Sequence, residues 1–181
     1  KIITTGEGGA ALTNNDEIAN KLRQHRSHGI TSNPNEMMQR PKKELWNYQQ
    51  ITLGYNYRMT DICAALGISQ MKRLSEIINK RHAIARRYDK ELSSLPLSIP
   101  WQHPDSYSAF HRYVIRLNKD KTANSHLEVF EFLRNHGIGV NLHYLPIHLH
   151  PFYRSIGFKV GDFPESEKYS NEAISLPIFF G

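Results

Sequence analysis

The sequence predicts a mixed chain, α/β or α+β, built in two parts. Three observations predict it. Between residues 61 and 94 apolar side chains recur at helical spacing: Ile62, Leu66, Met71, Leu74, Ile78, Ala85, Tyr88 and Leu92. Pro96 and Pro100 then break the chain. Beyond them Phe110 to Leu117 alternates as a strand does, and Ser125-His126-Leu127-Glu128 reads as a capping box opening a helix. The predicted division is therefore 1–95 and 96–181.

Taken in order, Lys1 to Thr13 reads as two short extended runs around a tight turn at Gly6-Glu7-Gly8-Gly9, a hairpin-like entry. Asn14, Asn15 and Asp16 offer a helix cap, Ile18 and Leu22 fall four apart, and His28-Gly29 supplies a stop, which predicts a helix over 16–28. Residues 30–50 are polar, carry Pro34 and Pro41, and keep no period; they read as a loop. One long amphipathic helix is expected over 61–94. Its basic residues, among them Lys72, Arg73, Lys80, Arg81, Arg86 and Arg87, recur at helical spacing and read as a solvated face rather than a nucleic-acid patch. In the second part a strand is expected near 110–117 and a helix from 126 to about 135, stopped by Gly137. Another strand is expected over 138–143, a loop between Pro146 and Pro151, and a short helix over 165–173 with Pro164 near its first turn.

Composition narrows the classes of function. Hydrophobic residues make up 39% and charged residues 22%, which separates the chain from disordered sequences. No run approaches the ~18 apolar residues of a membrane helix, and the first residues carry no signal-peptide core, so no membrane partner is expected. Cys63 is the single cysteine, which excludes an intramolecular disulfide and fits a reducing, cytoplasmic setting. Lys and Arg outnumber Asp and Glu by 23 to 17, a net charge of +6 that suits anionic ligands or simply keeps the protein soluble.

Local motifs favour few chemistries. His143, His148 and His150 lie close in sequence, but without an HExxH pattern or a carboxylate among them, and no metal is expected. There is no G-x-S-x-G elbow, and Cys63 lies in an apolar helical pattern that suits a packed thiol. The glycine turn lacks the Lys-Ser or Lys-Thr of a P-loop.

Four segments carry more information together. They are Lys1-Ile2-Ile3-Thr4-Thr5-Gly6-Glu7-Gly8-Gly9-Ala10, Arg26-Ser27-His28-Gly29, Gly54-Tyr55-Asn56-Tyr57-Arg58-Met59-Thr60-Asp61 running into Ala64-Ala65-Leu66-Gly67, and His143-Tyr144-Leu145-Pro146-Ile147-His148. In this order, across nearly the whole chain, they resemble the sugar-nucleotide aminotransferases that depend on pyridoxal phosphate. The stretch from Gly137 to Pro177 particularly resembles the branch that aminates UDP-4-keto-6-deoxy-N-acetyl-β-L-altrosamine in pseudaminic acid biosynthesis.

The resemblance implies the C-terminal portion of a fold-type-I transferase: the latter part of the large α/β domain with the linking helix in 1–95, and a smaller α+β domain in 96–181. It implies that Lys1 is the lysine that bonds to the pyridoxal phosphate aldehyde and later moves protons, work that a primary amine can do. It implies that Asn56 reaches the cofactor phosphate of the neighbouring subunit in a homodimer with shared active sites; an asparagine in a turn before a helix is the alternative. Arg58 is expected either on the nucleotide diphosphate or on a structural carboxylate. His143, Tyr144 and His148 are expected to line the sugar-nucleotide pocket or to pack in core and loop. Tyr57 reads as packing.

The partners so implied are a UDP-linked ketosugar and glutamate as amino donor. The family's phosphate-binding turn, its ring-stacking aromatic residue and its pyridine-nitrogen acid precede the lysine, so the chain alone is expected to be inactive. Another nucleotide ketosugar, or a non-enzymatic basic module that meets nucleic acid or an acidic protein, are the alternatives.

Overall fold

The computed structural model describes residues 1–39 and 44–179. It forms two compact units, one of Ile3–Lys72 and one of Lys1–Ile2 with Arg73–Gly181.

The smaller unit begins without the expected hairpin: among the described residues, none before residue 16 joins a strand. Gly6, at φ 78, makes the turn. Helix α1, Asp16–Arg26, starts where Asn15 accepts a hydrogen bond from the Ile18 amide and stops two residues before the predicted end. His28 and Gly29 take φ 63 and 69, the left-handed region. There the backbone approaches Gly54 so closely that a β-carbon on Gly54 would strike Gly29. The polar loop is tied at its ends by a two-residue antiparallel ladder, β1 Ile30–Thr31 with β2 Gln49–Gln50; residues 40–43, with Pro41, lie outside the described residues. Helix α2, Asp61–Lys72, is apolar and buries no residue.

The predicted long helix is two helices. Arg73 leaves helical geometry at φ −100, ψ 1, and α3 runs from Leu74 to Leu92. Neither Gly nor Pro marks the break.

In the larger unit α3 buries Ile77, Arg81 and Ala85, four residues apart on one stripe. Three antiparallel strands lie in the order β3-β4-β5: Leu97–Ser98, Tyr113–Leu117 and Ala173–Leu176. Tyr113, Ile115 and Leu117 alternate inward, as predicted, and Tyr113 pairs with Leu176, Ile115 with Ile174. Strand β5 replaces the end of the helix expected over 165–173: α6 is Pro164–Ser170, and the chain then enters the sheet. Helix α4, His126–Asn135, has the predicted capping box, with Glu128 N donating to Ser125 Oγ at 3.2 Å and Ser125 N donating to Glu128 Oε2 at 2.6 Å. Val129, Phe130 and Leu133 of α4 pack on a core of Ala85, Tyr113, Ile115, Leu117, Val140 and Ile174. The strand expected over 138–143 reduces to one bridge, Asn141 to Ser175. The segment between Pro146 and Pro151 is a 3₁₀ turn, Ile147–Leu149, followed by α5, Pro151–Ser155.

Candidate active site

One wall of the site is built from α3. Arg81, 7% exposed, donates through Nη1 to the carbonyl of Phe110 at 2.8 Å and to that of His111 at 3.4 Å. Phe110 has φ 47, a strained value for a non-glycine residue, and its amide donates to Ser108 Oγ at 3.1 Å. The chain therefore enters β4 through a turn held by an arginine, and Arg112 is the residue it presents. Next to it Tyr113 is fully buried, its hydroxyl donating to Asp89 Oδ1 at 2.6 Å. Burial, reinforced by Asp89, pushes the Tyr113 hydroxyl pKa strongly upward.

The opposite wall follows α4. Arg134 donates twice to the carbonyl of Val140, at 3.0 and 2.7 Å, and Asn141 and Ser175 exchange backbone hydrogen bonds at 3.2 and 2.8 Å. His143 Nδ1 then lies 2.8 Å from Ser175 Oγ, and Tyr169 donates to the His143 carbonyl at 3.3 Å. The peptide from His143 to Tyr144 is cis. Across the gap Arg112 Nη2 donates to the Tyr144 hydroxyl at 2.8 Å, with its guanidinium carbon 4.8 Å from the ring centre.

Of these residues Arg81, Arg112, Asn141, His143, Tyr144 and Ser175, together with Lys1, line a cavity of about 440 Å³. Among the described residues its titratable lining is Lys1, Arg81, His111, Arg112, His143 and Tyr144, with no carboxylate. Burial, followed by the neighbouring Arg112, lowers the His143 pKa; burial and the surrounding cations lower that of His111. Both rings thus favour their neutral forms. The cavity is suited to hold an anion beside a primary amine.

The structure brings Lys1, His143 and Tyr144 together. Asn56 and Arg58 lie in the Ile3–Lys72 unit, exposed, their side chains without a hydrogen-bond partner among the described residues. Asn56 forms a bridge with Ser27, and Tyr57 stacks on Tyr55 at 4.7 Å. His148 does not line the cavity of Lys1. It is 6% exposed, donates through Nε2 to Glu167 Oε1 at 2.8 Å, and borders a separate hollow with Tyr153, Phe158 and Phe163. Among the described residues no three His, Cys, Asp or Glu side chains are grouped as metal ligands, and no helix is long and apolar enough to cross a membrane.

Sequence reasoning missed Arg112, Arg81, Glu167 and Tyr169. Arg112 was legible only as an outward position at the start of an alternating strand, and Arg81 as one of many basic residues on a helix. A buried stripe at 77, 81 and 85 was the available signal for Arg81.

Comparison with known proteins shows which family the chain falls in. Residues 1–181 match the DegT/DnrJ/EryC1/StrS aminotransferase family. The UDP-4-amino-4,6-dideoxy-N-acetyl-beta-L-altrosamine transaminase of Campylobacter jejuni is 40% identical over 157 residues, 86% of this chain and 39% of that protein. The solved structure of Helicobacter pylori PseC, an aminotransferase involved in the biosynthesis of pseudoaminic acid, superposes with TM-score 0.76 at 30% identity, over 98% of this chain and 45% of that one. A putative sugar aminotransferase of Streptococcus pneumoniae in its PMP-form superposes with TM-score 0.78 at 26% identity, over 98% and 45%. The chain spans less than half the length of the curated relatives it matches. With the match running over all its residues, the chain belongs to the DegT/DnrJ/EryC1/StrS aminotransferase family of enzymes that depend on pyridoxal phosphate.

Proposed function

We propose that the full-length enzyme moves an amino group from glutamate to C4 of a UDP-linked 4-keto-6-deoxy-N-acetylhexosamine, for nonulosonic acid or surface-glycan synthesis. The observation that carries this is the cavity that Lys1, Arg112, His143 and Tyr144 line together, with no carboxylate in the lining among the described residues. The names of the Campylobacter and Helicobacter relatives support the choice of sugar.

An amine among cationic and neutral groups fits pyridoxal phosphate, an anionic aldehyde. When bound, the cofactor supplies the electron sink for the transfer. Lys1 would hold it through its side-chain amine and, as a free amine, would move a proton at the donor or sugar carbon. His143 and Tyr144 border the space in which the reacting carbon sits. In the balanced reaction the sugar ketone becomes an amine and glutamate leaves as 2-oxoglutarate.

The working enzyme is proposed as a cytoplasmic homodimer with shared active sites, the parent domains dividing near residue 95. In it Asn56 donates to the cofactor phosphate of the neighbouring subunit, Arg58 meets the nucleotide diphosphate, and His148 supports the sugar pocket. Exposed apolar side chains support a covered surface in the smaller unit: Leu12 is 94% exposed, Leu53 85% and Ile62 84%. The test is an assay of the full-length enzyme with glutamate and a panel of nucleotide ketosugars. Formation of 2-oxoglutarate with the UDP-4-keto-6-deoxy-N-acetylhexosamine, matched by amination at C4, is expected. Transfer only to other ketosugars would overturn the assigned substrate, and no transfer to any would overturn the reaction.

A further inference from the structure

We infer that Arg112 anchors a carboxylate of the amino donor and that Tyr144 positions it, a role that presupposes the aminotransferase reaction proposed above. Arg112 leaves a turn pinned by the buried Arg81 through the carbonyls of Phe110 and His111. Its guanidinium is stacked on the Tyr144 ring and bonded to the Tyr144 hydroxyl. A long side chain so held has already lost much of its rotamer freedom, so less entropy is lost when a ligand arrives.

Among the described residues no carboxylate pairs with Arg112, and the cavity it lines with Lys1 contains only basic groups and Tyr144 as titratable lining. A half-buried guanidinium in such surroundings is short of a counter-charge. Arg81 adds to the deficit: its Nε is buried and has no hydrogen-bond partner among the described residues. The planar fork of Arg112 suits a carboxylate, which can accept two parallel hydrogen bonds.

The chemistry of transfer selects which anion this is. In an amino acid the amino group and the α-carboxylate share one carbon. A donor whose nitrogen reaches the Lys1 amine therefore brings its carboxylate into the same cavity. In the sugar nucleotide the reacting C4 and the diphosphate on C1 stand at opposite ends of the ring, which carries the phosphates away from the lysine.

The experiment uses the full-length enzyme loaded with pyridoxal phosphate and its Arg112→Met, Arg112→Lys and Tyr144→Phe variants. Three quantities are read: half-saturating glutamate in a single-turnover donor half-reaction, calorimetric binding of the unreactive dicarboxylate succinate, and half-saturating UDP-ketosugar. Arg112→Met is expected to weaken glutamate and succinate on the order of 100-fold and to leave the ketosugar value in place. Arg112→Lys should recover part of the loss, and Tyr144→Phe should weaken both carboxylates roughly 3- to 10-fold. Unchanged carboxylate binding in Arg112→Met would overturn the inference, as would a loss confined to the ketosugar, which would assign Arg112 to the diphosphate. Thermal melting and borohydride fixation of the cofactor on Lys1 separate folding from binding. If the unmodified enzyme fixes no cofactor there, the aminotransferase reaction fails, and succinate binding still decides Arg112.

Discussion

His148 and Glu167, nineteen residues apart in the chain, meet in a shielded contact: His148 Nε2 donates to Glu167 Oε1 at 2.8 Å. The same oxygen accepts the Gly161 amide at 2.7 Å, and two residues along α6 Tyr169 donates to the His143 carbonyl. Helix α6 thereby grips the 143–149 segment at two points. The His148 hydrogen bond, followed by the Gly161 amide, holds the Glu167 carboxyl below the ordinary carboxylate value. A carboxyl depressed in the folded state contributes stability that is present above its unfolded pKa and lost as pH falls through the folded value. The urea midpoint of the full-length enzyme is therefore expected to fall with pH below about 4.3, and Glu167→Gln should lower it at neutral pH and flatten that acid limb. An unchanged midpoint and acid limb would show that α6 holds the segment without this pair.

Arg112 is expected to control the titration of His143. Burial is the larger cause of the lowered His143 pKa and Arg112 the second, so Arg112→Met should raise it without restoring it fully. Resolved imidazole proton signals followed against pH check this. No upward movement would mean that Arg112 does not act electrostatically on the ring.

Removing the Tyr113 hydroxyl should weaken the larger unit without opening a cavity. Tyr113→Phe leaves Asp89 without its 2.6 Å donor, at an expected cost of about 1–2 kcal/mol. Urea unfolding should show a lower midpoint at constant slope.

Gly54 is expected to tolerate no side chain. A β-carbon there would lie 2.6 Å from the His28 carbonyl carbon and closer still to the Gly29 amide. Gly54→Ala must separate the two backbone segments, and the hydrogen bonds from His28 N to Tyr55 O at 2.8 Å and from Ile51 N to Gly29 O at 2.9 Å should weaken. Faster amide exchange at His28 and Ile51 checks it, with the exchange in β4 unchanged.

Elements governed by local chemistry were legible in the sequence. The caps at Asn15 and Ser125 act on amides three residues away, and Tyr113, Ile115 and Leu117 alternate because one face of β4 is buried. Strand β5 was not legible: Ala173, Ile174 and Ser175 are all buried, so no alternation separates it from α6. The break at Arg73 carries no glycine or proline, and the apolar spacing continues past it. At the site, the lysine and the His143-Tyr144 pair stood in recognisable segments. Arg112 did not, because its significance comes from Tyr144, thirty-two residues away, and from a cavity lining that holds no acid among the described residues. His148 shows the opposite case. Its segment pointed to the pocket, while a glutamate nineteen residues on takes its ring nitrogen.

The central claim is that Lys1 is the amine that holds the cofactor. The full-length enzyme should be loaded with pyridoxal phosphate, reduced with borohydride and digested, and the modified residue located by peptide mass spectrometry. A pyridoxyl group on Lys1, lost in Lys1→Ala, is the predicted result. A folded enzyme that carries the group on another lysine, or on none, would contradict it.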